Sequence, residues 1–185
     1  MKIAALQMVS TTRVDDNLEA ARRLIAQAAR DGAELVVLPE YFCVMGRADR
    51  DKLAVAEAAG DGPIQRMLSA AAREHRVWLI GGTLPIRCDD PERVLNANCV
   101  YAPDGTLAAR YDKIHLFKYD SERDHYDEGR SIRAGSAPTT VQIGALQGPR
   151  TAANSLRVAL SVCYDLRFPE LYRELMHPPC AGAIT

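Results

Sequence analysis

The stretch VALSVCYDLRFPELY, residues 158–172, decides how this chain is interpreted. Its first five residues, 158–162, are largely apolar and predict a short buried strand. The strand ends at Cys163, and polar residues follow until Pro169 opens a helical pattern. A strand that stops at a thiol, before a tight turn and a helix, is suited to presenting a nucleophile at the edge of a sheet.

The competing interpretation of Cys163 is a buried core cysteine, which is the more frequent situation after an apolar strand. A thiol reacts as the thiolate, so a nucleophilic cysteine needs a base or a cation nearby. The abrupt change to a polar turn favours the nucleophile at this position. The other cysteines lack such a setting and are interpreted as structural residues: Cys43, Cys88, Cys99 and Cys180.

A carboxylate follows a second apolar run. Residues 35–38 are all apolar, which is typical of a strand buried on both faces, and Pro39 and Glu40 end that run. A carboxyl group at such a position is expected in an apolar pocket, where desolvation raises its pKa and suits it to proton transfer. A solvated loop glutamate is the alternative.

An amine lies near the start of a third apolar run, DKIHLF. If this run is a strand, Lys113, His115 and Phe117 share one face, and Ile114 and Leu116 share the other. A half-buried lysine would stabilise an oxyanion and favour a thiolate, whereas an ordinary surface lysine is the alternative. We interpret His115 as a hydrogen-bonded structural residue.

The remaining patterns predict an α/β fold. A strand at residues 2–9, an amphipathic helix at 13–31 and the strand at 35–38 form a βαβ-type unit, and Gly32 is expected to end the helix in a left-handed conformation. Periodicity and turn signals predict further elements: helices at 52–59, 64–75 and 169–176, strands at 77–83 and 140–143, and a hairpin of 98–102 with 107–111 around Pro103-Asp104-Gly105. Irregular segments are expected at 85–93, 118–137 and 145–155, the second of them with room for one helical turn.

Size and composition fit one globular domain, residues 1–185. The chain has 185 residues, 48% hydrophobic and 25% charged, with a formal net charge of −1. Electrostatics therefore favour neither nucleic acid nor an anionic membrane as a partner. The opening MKIAALQMVS is too short for a signal-peptide core or a membrane span, so we expect a cytoplasmic protein.

The cysteines and histidines show no metal or disulfide pattern. The five cysteines form no CxxC pair and the four histidines form no HExxH motif, so we expect reduced thiols, no metal and no cofactor. Ser161 and the histidines leave a weaker serine–histidine alternative without a third member. A Rossmann-like binding protein would need a GxGxxG loop, which the sequence lacks.

The motifs LPE, DKIHLF and CYDLRFPE, in this order, closely resemble those of the nitrilase superfamily of carbon–nitrogen hydrolases, over residues 2–182. The resemblance implies an α/β fold, an αββα sandwich of the nitrilase type. It also places the family's Glu–Lys–Cys triad on Glu40, Lys113 and Cys163.

Further site residues are implied by the same resemblance. A second, positioning glutamate of the family matches Glu128, seven residues before Gly135, and Glu122 is the competing candidate. Tyr164, directly after the nucleophile, would donate its backbone N–H to an oxyanion. Asn96 and the Pro-Asp-Gly turn resemble the family's hairpin.

The resemblance implies a mechanism without a cofactor. Cys163 would attack the carbonyl carbon of an amide, or a nitrile carbon, while Glu40 moves the protons. Lys113 and the Tyr164 N–H would stabilise the oxyanion, and water would hydrolyse the thioester. The motifs resemble most the ω-amidase and deaminated-glutathione-amidase branches, which favours an amidase of small ω-amides over a true nitrilase.

Members of this superfamily continue well beyond the helix that follows the nucleophile. The resemblance therefore implies a fold that is incomplete at the C-terminus, from a truncated gene product or a fragment, with exposed strand edges and marginal stability. Two hypotheses follow: an amidase of a small-molecule amide, and a catalytically silent remnant that at most binds a full-length homologue. In complete family members the resemblance implies a homo-oligomer, with the helix after Cys163 at a dimer interface.

Overall fold

The computed structural model describes residues 1–144 and 155–178, and the backbone of residues 182–184. Residues 145–154 of the connection predicted at 145–155 lie outside the described residues, as does the predicted structural cysteine Cys180. Within them, the helices are α1 (Val14–Arg30), α2 (Asp51–Ala54), α3 (Pro63–His75) and α4 (Pro169–Leu175). Two 3₁₀ turns cover Glu128–Arg130 and Cys163–Arg167.

The strands fall into three sheets in this part of the chain. The first half of the sequence supplies β1 (Ile3–Ala5), β2 (Leu35–Val37), β3 (Trp78–Ile80), β4 (Leu84–Arg87), β5 (Val94–Tyr101) and β6 (Leu107–Asp112). The second half supplies β7 (Lys118–Asp120), β8 (His125–Asp127), β9 (Thr140–Gly144), β10 (Ser155–Leu160) and β11 (Gly182–Ile184).

The largest sheet has six strands in the order β1-β2-β3-β5-β4, with β6 paired to β5. Strands β1, β2 and β3 are parallel neighbours, whereas β5 is antiparallel to β3, β4 and β6. The predicted βαβ unit is β1–α1–β2, and Gly32 ends α1 at a φ of 84°. A three-stranded sheet has the order β11-β10-β9, and β7 pairs with β8.

These elements stack in four layers. Apolar residues of α1 and α3, such as Ile25 and Leu68, pack with Leu79 on one face of the six-stranded sheet. A second cluster lies between the two larger sheets and includes Val100 and Leu160. On the far side of the three-stranded sheet, α4 packs against Ala159 through two leucines. The order helix, sheet, sheet, helix is the αββα sandwich that the resemblance implies.

Three predictions for local structure are wrong. Part of the turn expected at 85–93 belongs to β4, where Pro85 is tolerated because an edge strand does not need every N–H for pairing. The DKIHLF run is not a strand: β6 ends at Asp112, and the Gly135 N–H then binds the carbonyl O of Lys113 at 2.9 Å. The loop expected at 118–137 contains the β7–β8 hairpin, while its 3₁₀ turn at Glu128–Arg130 agrees with the one helical turn expected there.

Helices α1, α3 and α4 and the central hairpin agree closely with the sequence patterns, whereas the helix expected at 52–59 ends already at Ala54. Strands β5 and β6 pair around the Pro-Asp-Gly turn, where Gly105 has a φ of 85°. Helix α3 begins at Pro63, as expected of a residue whose missing N–H costs nothing at a first helical position. Across residues 1–144 and 155–178, the structure contains no helix with the length and apolar character of a membrane span.

Candidate active site

Four candidate residues of the sequence analysis lie where strands end. Glu40 follows β2 by three residues and Lys113 directly follows β6. Cys163 follows β10 by three residues, and Glu128 opens the 3₁₀ turn after β8. Since β2 and β6 run in the same direction through the six-stranded sheet, their carboxyl ends meet at one edge.

The centre of this edge is the ammonium group of Lys113. Its side chain is 0% exposed, which is deeper burial than the half-buried position that we expected from sequence. Its Nζ atom lies 3.1 Å from Oε1 of Glu40 and 2.9 Å from Oε2 of Glu128. Two carboxylates therefore share one buried cation.

Lys113 remains charged in spite of its burial. Desolvation lowers its pKa, but the charge of Glu40, together with the hydrogen bond to Glu128 and its charge, outweighs that effect and raises the pKa above its ordinary value. Removing this proton would leave two neighbouring carboxylates without a counter-ion.

Glu40 is fixed from two sides. Besides its contact with Lys113, its Oε1 accepts a hydrogen bond of 2.9 Å from Nδ2 of Asn96, on β5. Its side chain is 23% exposed, so one part of the carboxylate is open to a substrate. The backbone before it is crowded: Gly82 has a φ of 59°, and a Cβ there would clash with the carbonyl O of Pro39.

Glu128 lies deeper than Glu40. Its Oε2 accepts a hydrogen bond of 2.7 Å from the Phe117 N–H, and its Oε1 accepts one of 3.2 Å from the hydroxyl of Tyr41. The competing candidate, Glu122, is exposed between β7 and β8. Of the two glutamates, the structure brings Glu128 into contact with Lys113.

A second glycine limits the position of Lys113. A Cβ on Gly135 would clash with the carbonyl O of Asp112, the residue before Lys113. Gly135 therefore packs closely against the backbone next to Lys113, just as Gly82 packs closely against the backbone next to Glu40.

Cys163 is exposed and begins the second 3₁₀ turn with a φ of 50°, an unusual conformation for a residue other than glycine. Partial desolvation raises the pKa of its thiol, and the charge of Glu40 and a hydrogen bond to Glu40 add to the increase, while the charge of Lys113 opposes it. The thiol therefore needs a base, and Glu40 is the carboxylate next to it.

A cavity of about 260 Å³ opens beside the thiol. Its polar lining comes from both larger sheets and comprises Glu40, Thr83, Asn98, Ser161 and Cys163. Among the described residues, Oδ1 of Asn98 is buried without a hydrogen-bond partner. The wall of the cavity therefore carries an unused acceptor close to the thiol.

Asp165 stabilises the 3₁₀ turn that begins at Cys163. The sequence patterns did not single out this residue. Its buried carboxylate accepts hydrogen bonds from the Val162 N–H at 2.9 Å, the His115 N–H at 3.0 Å and the Tyr111 hydroxyl at 2.7 Å. His115 Nδ1 lies 2.7 Å from the same carboxylate, and its ring stacks on Phe168 at 3.7 Å. The interpretation of His115 as a hydrogen-bonded residue is confirmed.

Tyr164 is the second residue of the same 3₁₀ turn. The N–H groups of a first helical turn have no acceptor within the turn, and the Tyr164 amide is one of these groups. The Tyr164 ring packs edge-on against Phe117 at 5.2 Å and Phe168 at 5.4 Å, which holds the turn against the segment after Lys113.

The other cysteines of the described residues lie in surroundings different from those of Cys163. Cys43 and Cys99 are buried, and desolvation raises the pKa of each thiol to about 12, as expected of structural cysteines. Cys88 is half-buried. Ser161 is buried and its Oγ accepts a hydrogen bond of 2.9 Å from Tyr172.

In the part of the chain that the structure describes, no group of three His, Cys, Asp or Glu side chains could hold a metal ion.

An αββα sandwich in which a cysteine, a buried lysine and two carboxylates meet beyond the ends of strands is typical of the nitrilase class of fold. The family model for carbon–nitrogen hydrolases matches residues 2–179, and this chain therefore belongs to the carbon–nitrogen hydrolase family.

Relatives support the amidase branch of this family. The chain is 36% identical over 174 residues to a deaminated glutathione amidase of Synechocystis, covering 93% of this chain and 60% of that protein. It is 32% identical over 171 residues to the human omega-amidase, covering 92% of this chain and 57% of that protein. The chain thus spans less than two thirds of the length of these relatives.

A solved structure shows the same fold. A mutant amidase from Nesterenkonia sp. AN1 superposes with a TM-score of 0.73 at 25% identity, covering 94% of this chain and 61% of that one. That structure is described as showing the Michael addition of acrylamide at the active-site cysteine.

Proposed function

We propose that this chain is a cysteine amidase that hydrolyses the carbon–nitrogen bond of a small ω-amide. Cys163 is the nucleophile, Glu40 the general base and acid, and Lys113 with the Tyr164 N–H the oxyanion site. The observation that carries the proposal is the Lys113 ammonium, held at 3.1 Å from Glu40 and 2.9 Å from Glu128 beside an exposed thiol.

In the first step, Sγ of Cys163 bonds to the amide carbon and its proton passes to Glu40. The carbonyl oxygen becomes an oxyanion. Lysine has three N–H donors, and two carboxylates engage two of them in Lys113, so one remains for the oxyanion. Such preorganised donors are worth about 10²–10³ in rate.

The tetrahedral intermediate then collapses. The carbon–nitrogen bond breaks, the nitrogen takes the proton from Glu40, and ammonia leaves a thioester on Cys163. Water gives a proton to Glu40 and attacks the thioester carbon. The carbon–sulfur bond breaks, the proton returns to the thiolate, and a carboxylic acid is released.

Glu128 acts in this proposal as a positioning residue. It is 4% exposed, and its contacts with Lys113, Phe117 and Tyr41 orient the ammonium toward the side of Glu40. A carboxylate at this depth holds Lys113 charged without itself needing to exchange a proton.

The comparisons support the type of reaction and of substrate. The relatives in Synechocystis and human are named amidases, and the Nesterenkonia amidase carries an active-site cysteine. A small-molecule amide is accordingly the proposed substrate, and an amide is preferred over a nitrile.

We also propose that residues 1–185 act as a single carbon–nitrogen hydrolase domain, because Ile114 packs against both the layer between the sheets and the layer beneath α4.

The test is ammonia release by the purified chain from a panel of ω-amides, with nitriles of equal length in parallel. We expect release from amides, loss of it in Cys163→Ala, and its retention in Cys88→Ala, which changes a half-buried cysteine remote from Lys113 in sequence. Equal release by the native chain and Cys163→Ala would refute the amidase.

A further inference from the structure

A buried amide side chain in the wall of the cavity beside Cys163 has no partner for its oxygen. Asn98, on β5, is 5% exposed, and among the described residues its Oδ1 atom accepts no hydrogen bond. Native proteins rarely keep a buried acceptor without a donor, because its lost hydration is then not replaced. The cavity of about 260 Å³ is the space from which a ligand can supply that donor.

Asn98 lies one step along β5 from the residue that holds the proposed general base. Asn96 donates a hydrogen bond of 2.9 Å from its Nδ2 atom to Oε1 of Glu40. Residues two apart on a strand face the same side of the sheet, about 7 Å from each other. Asn98 therefore faces the space beside Glu40, and both residues line the cavity.

The cavity is in contact with the base and the nucleophile, but not with the proposed donors to the oxyanion. Glu40 and Cys163 line it, whereas Lys113 and Tyr164, which are both among the described residues, do not. In the tetrahedral intermediate the oxygen turns toward those two donors, and the nitrogen lies beside Glu40, from which it takes a proton. The nitrogen side of the intermediate therefore faces this cavity.

The nitrogen is also the part of the substrate that can satisfy Asn98. A primary amide nitrogen carries two hydrogens, and Glu40 adds a third before the nitrogen leaves, so one N–H is free to donate to Oδ1. The CH₂ groups of an acyl chain offer no such donor, and neither does the alkyl oxygen of an ester. The unpaired acceptor thus matches one side of the reacting group.

We propose that this cavity is the subsite of the leaving group, in which Oδ1 of Asn98 accepts a hydrogen bond from the departing nitrogen. The proposal rests on the function proposed above, which places the amide carbon at Cys163. As the carbon–nitrogen bond breaks, its electron pair stays on the nitrogen and Glu40 supplies the proton. Asn98 holds a second N–H of the same nitrogen without exchanging it.

The substrate class follows from this contact. Amides with at least one N–H fit the subsite, which includes primary amides and, because the cavity is larger than an NH₂ group requires, N-methyl amides. The ester of the same acid leaves the buried oxygen of Asn98 unpaired and is disfavoured, since a site built around a hydrogen bond discriminates against the analogue that lacks the donor.

The test compares glutaramate with monomethyl glutarate, which form the same thioester on Cys163 and differ only in the leaving group. Asn98→Leu, of similar size but without an acceptor, should lower kcat/KM for glutaramate by about 10-fold and for the ester by less than about 2-fold. Asn98→Ala, which adds no bulk, should change the amide-to-ester ratio in the same direction. Cys99→Ala disturbs β5 from its opposite face and is the matched control, which should leave the ratio unchanged.

Two results would overturn the proposal: unchanged glutaramate kinetics in both Asn98 variants, or an equal loss on amide and ester, which would make Asn98 a structural residue. If the native chain hydrolyses no amide, the proposed function fails. Calorimetric titration of glutaramate and monomethyl glutarate into Cys163→Ala and Asn98→Leu/Cys163→Ala then still decides the inference. Weaker binding of the amide alone by the double variant supports the subsite, and equal binding, or none by either, refutes it.

Discussion

The two halves of the candidate site are held in place by different means. Lys113 is fully buried between Glu40 and Glu128, and the three groups hold one another. Cys163 is exposed, and its position is set by a backbone turn with a φ of 50° above the buried carboxylate of Asp165. The charged half is therefore a set of mutually dependent side chains, whereas the nucleophile depends on the conformation of its main chain.

This difference predicts unequal responses to substitution. A buried ion pair that loses one partner leaves a desolvated charge behind, which is among the costliest changes in a protein. A turn that loses a side-chain support loses hydrogen bonds, each of which contributes less. Four experiments distinguish the charged side chains around Lys113 from the backbone turn that holds Cys163, and they follow in order of decreasing expected effect.

Replacing the central cation should have the largest effect. Lys113→Met leaves Glu128, which is 4% exposed, without a counter-ion, and we expect a loss of about 3–5 kcal/mol in the free energy of unfolding, together with loss of ammonia release. Urea denaturation followed by fluorescence measures the first effect. Lys118→Met is the control, and a Lys113→Met protein as stable as that control would show that the charged half is not mutually dependent.

The support beneath the nucleophile is the next target. Asp165→Asn replaces an acceptor of three hydrogen bonds by an amide whose NH₂ group faces the same donors. We expect a loss of about 2–3 kcal/mol in the free energy of unfolding. Asp124→Asn, at an exposed turn, should change it by less than about 0.5 kcal/mol. Equal stabilities of the two variants would contradict the role assigned to Asp165.

The third prediction couples the two halves through pH. Because the pKa of Cys163 is raised, its alkylation by iodoacetamide should accelerate as the pH rises through that pKa. Glu40→Gln removes a charge that raises the pKa and should move the profile to lower pH. Lys113→Met removes a charge that lowers the pKa and should move it to higher pH.

Peptide-level mass spectrometry distinguishes Cys163 from the other thiols in this experiment. Glu122→Gln, an exposed glutamate, should leave the profile in place. Shifts of the two variants in the same direction would exclude the electrostatic coupling between Cys163 and the charged half.

The smallest effect is expected for Tyr41→Phe, which removes the hydroxyl that binds Glu128 and nothing else. A hydrogen bond to a charged group contributes about 1.5–3 kcal/mol to stability. Because Tyr41 is partly exposed, we expect Tyr41→Phe to lower the free energy of unfolding by an amount at the lower end of this range. Thermal denaturation against Tyr119→Phe, an exposed tyrosine, measures it. A cost as large as that of Lys113→Met would show that the hydroxyl, rather than the ion pairs, fixes Glu128.

Local sequence patterns predicted the longer helices, the central hairpin and the strand-end positions of Glu40 and Cys163, since burial and periodicity are properties of neighbouring residues. They did not predict the partners. Asn96 and Glu40 are 56 residues apart, Tyr111 and Asp165 are 54 apart, and Tyr41 and Glu128 are 87 apart. Those contacts depend on how the layers stack. Glu128 was reached through family resemblance, and its burial against Lys113 came from the structure alone.

The two crowded glycines set the limits for anyone who redesigns this site. Asn98 lines the cavity, and its Oδ1 has no hydrogen-bond partner among the described residues, so an exchange there would change the shape of the cavity without breaking a bond to that oxygen. A methyl group on Gly82 or Gly135 would instead push the backbone beside the acid or the amine. We therefore expect the cavity wall to tolerate redesign, whereas any side chain at these two glycines should displace the backbone that carries Glu40 or Lys113.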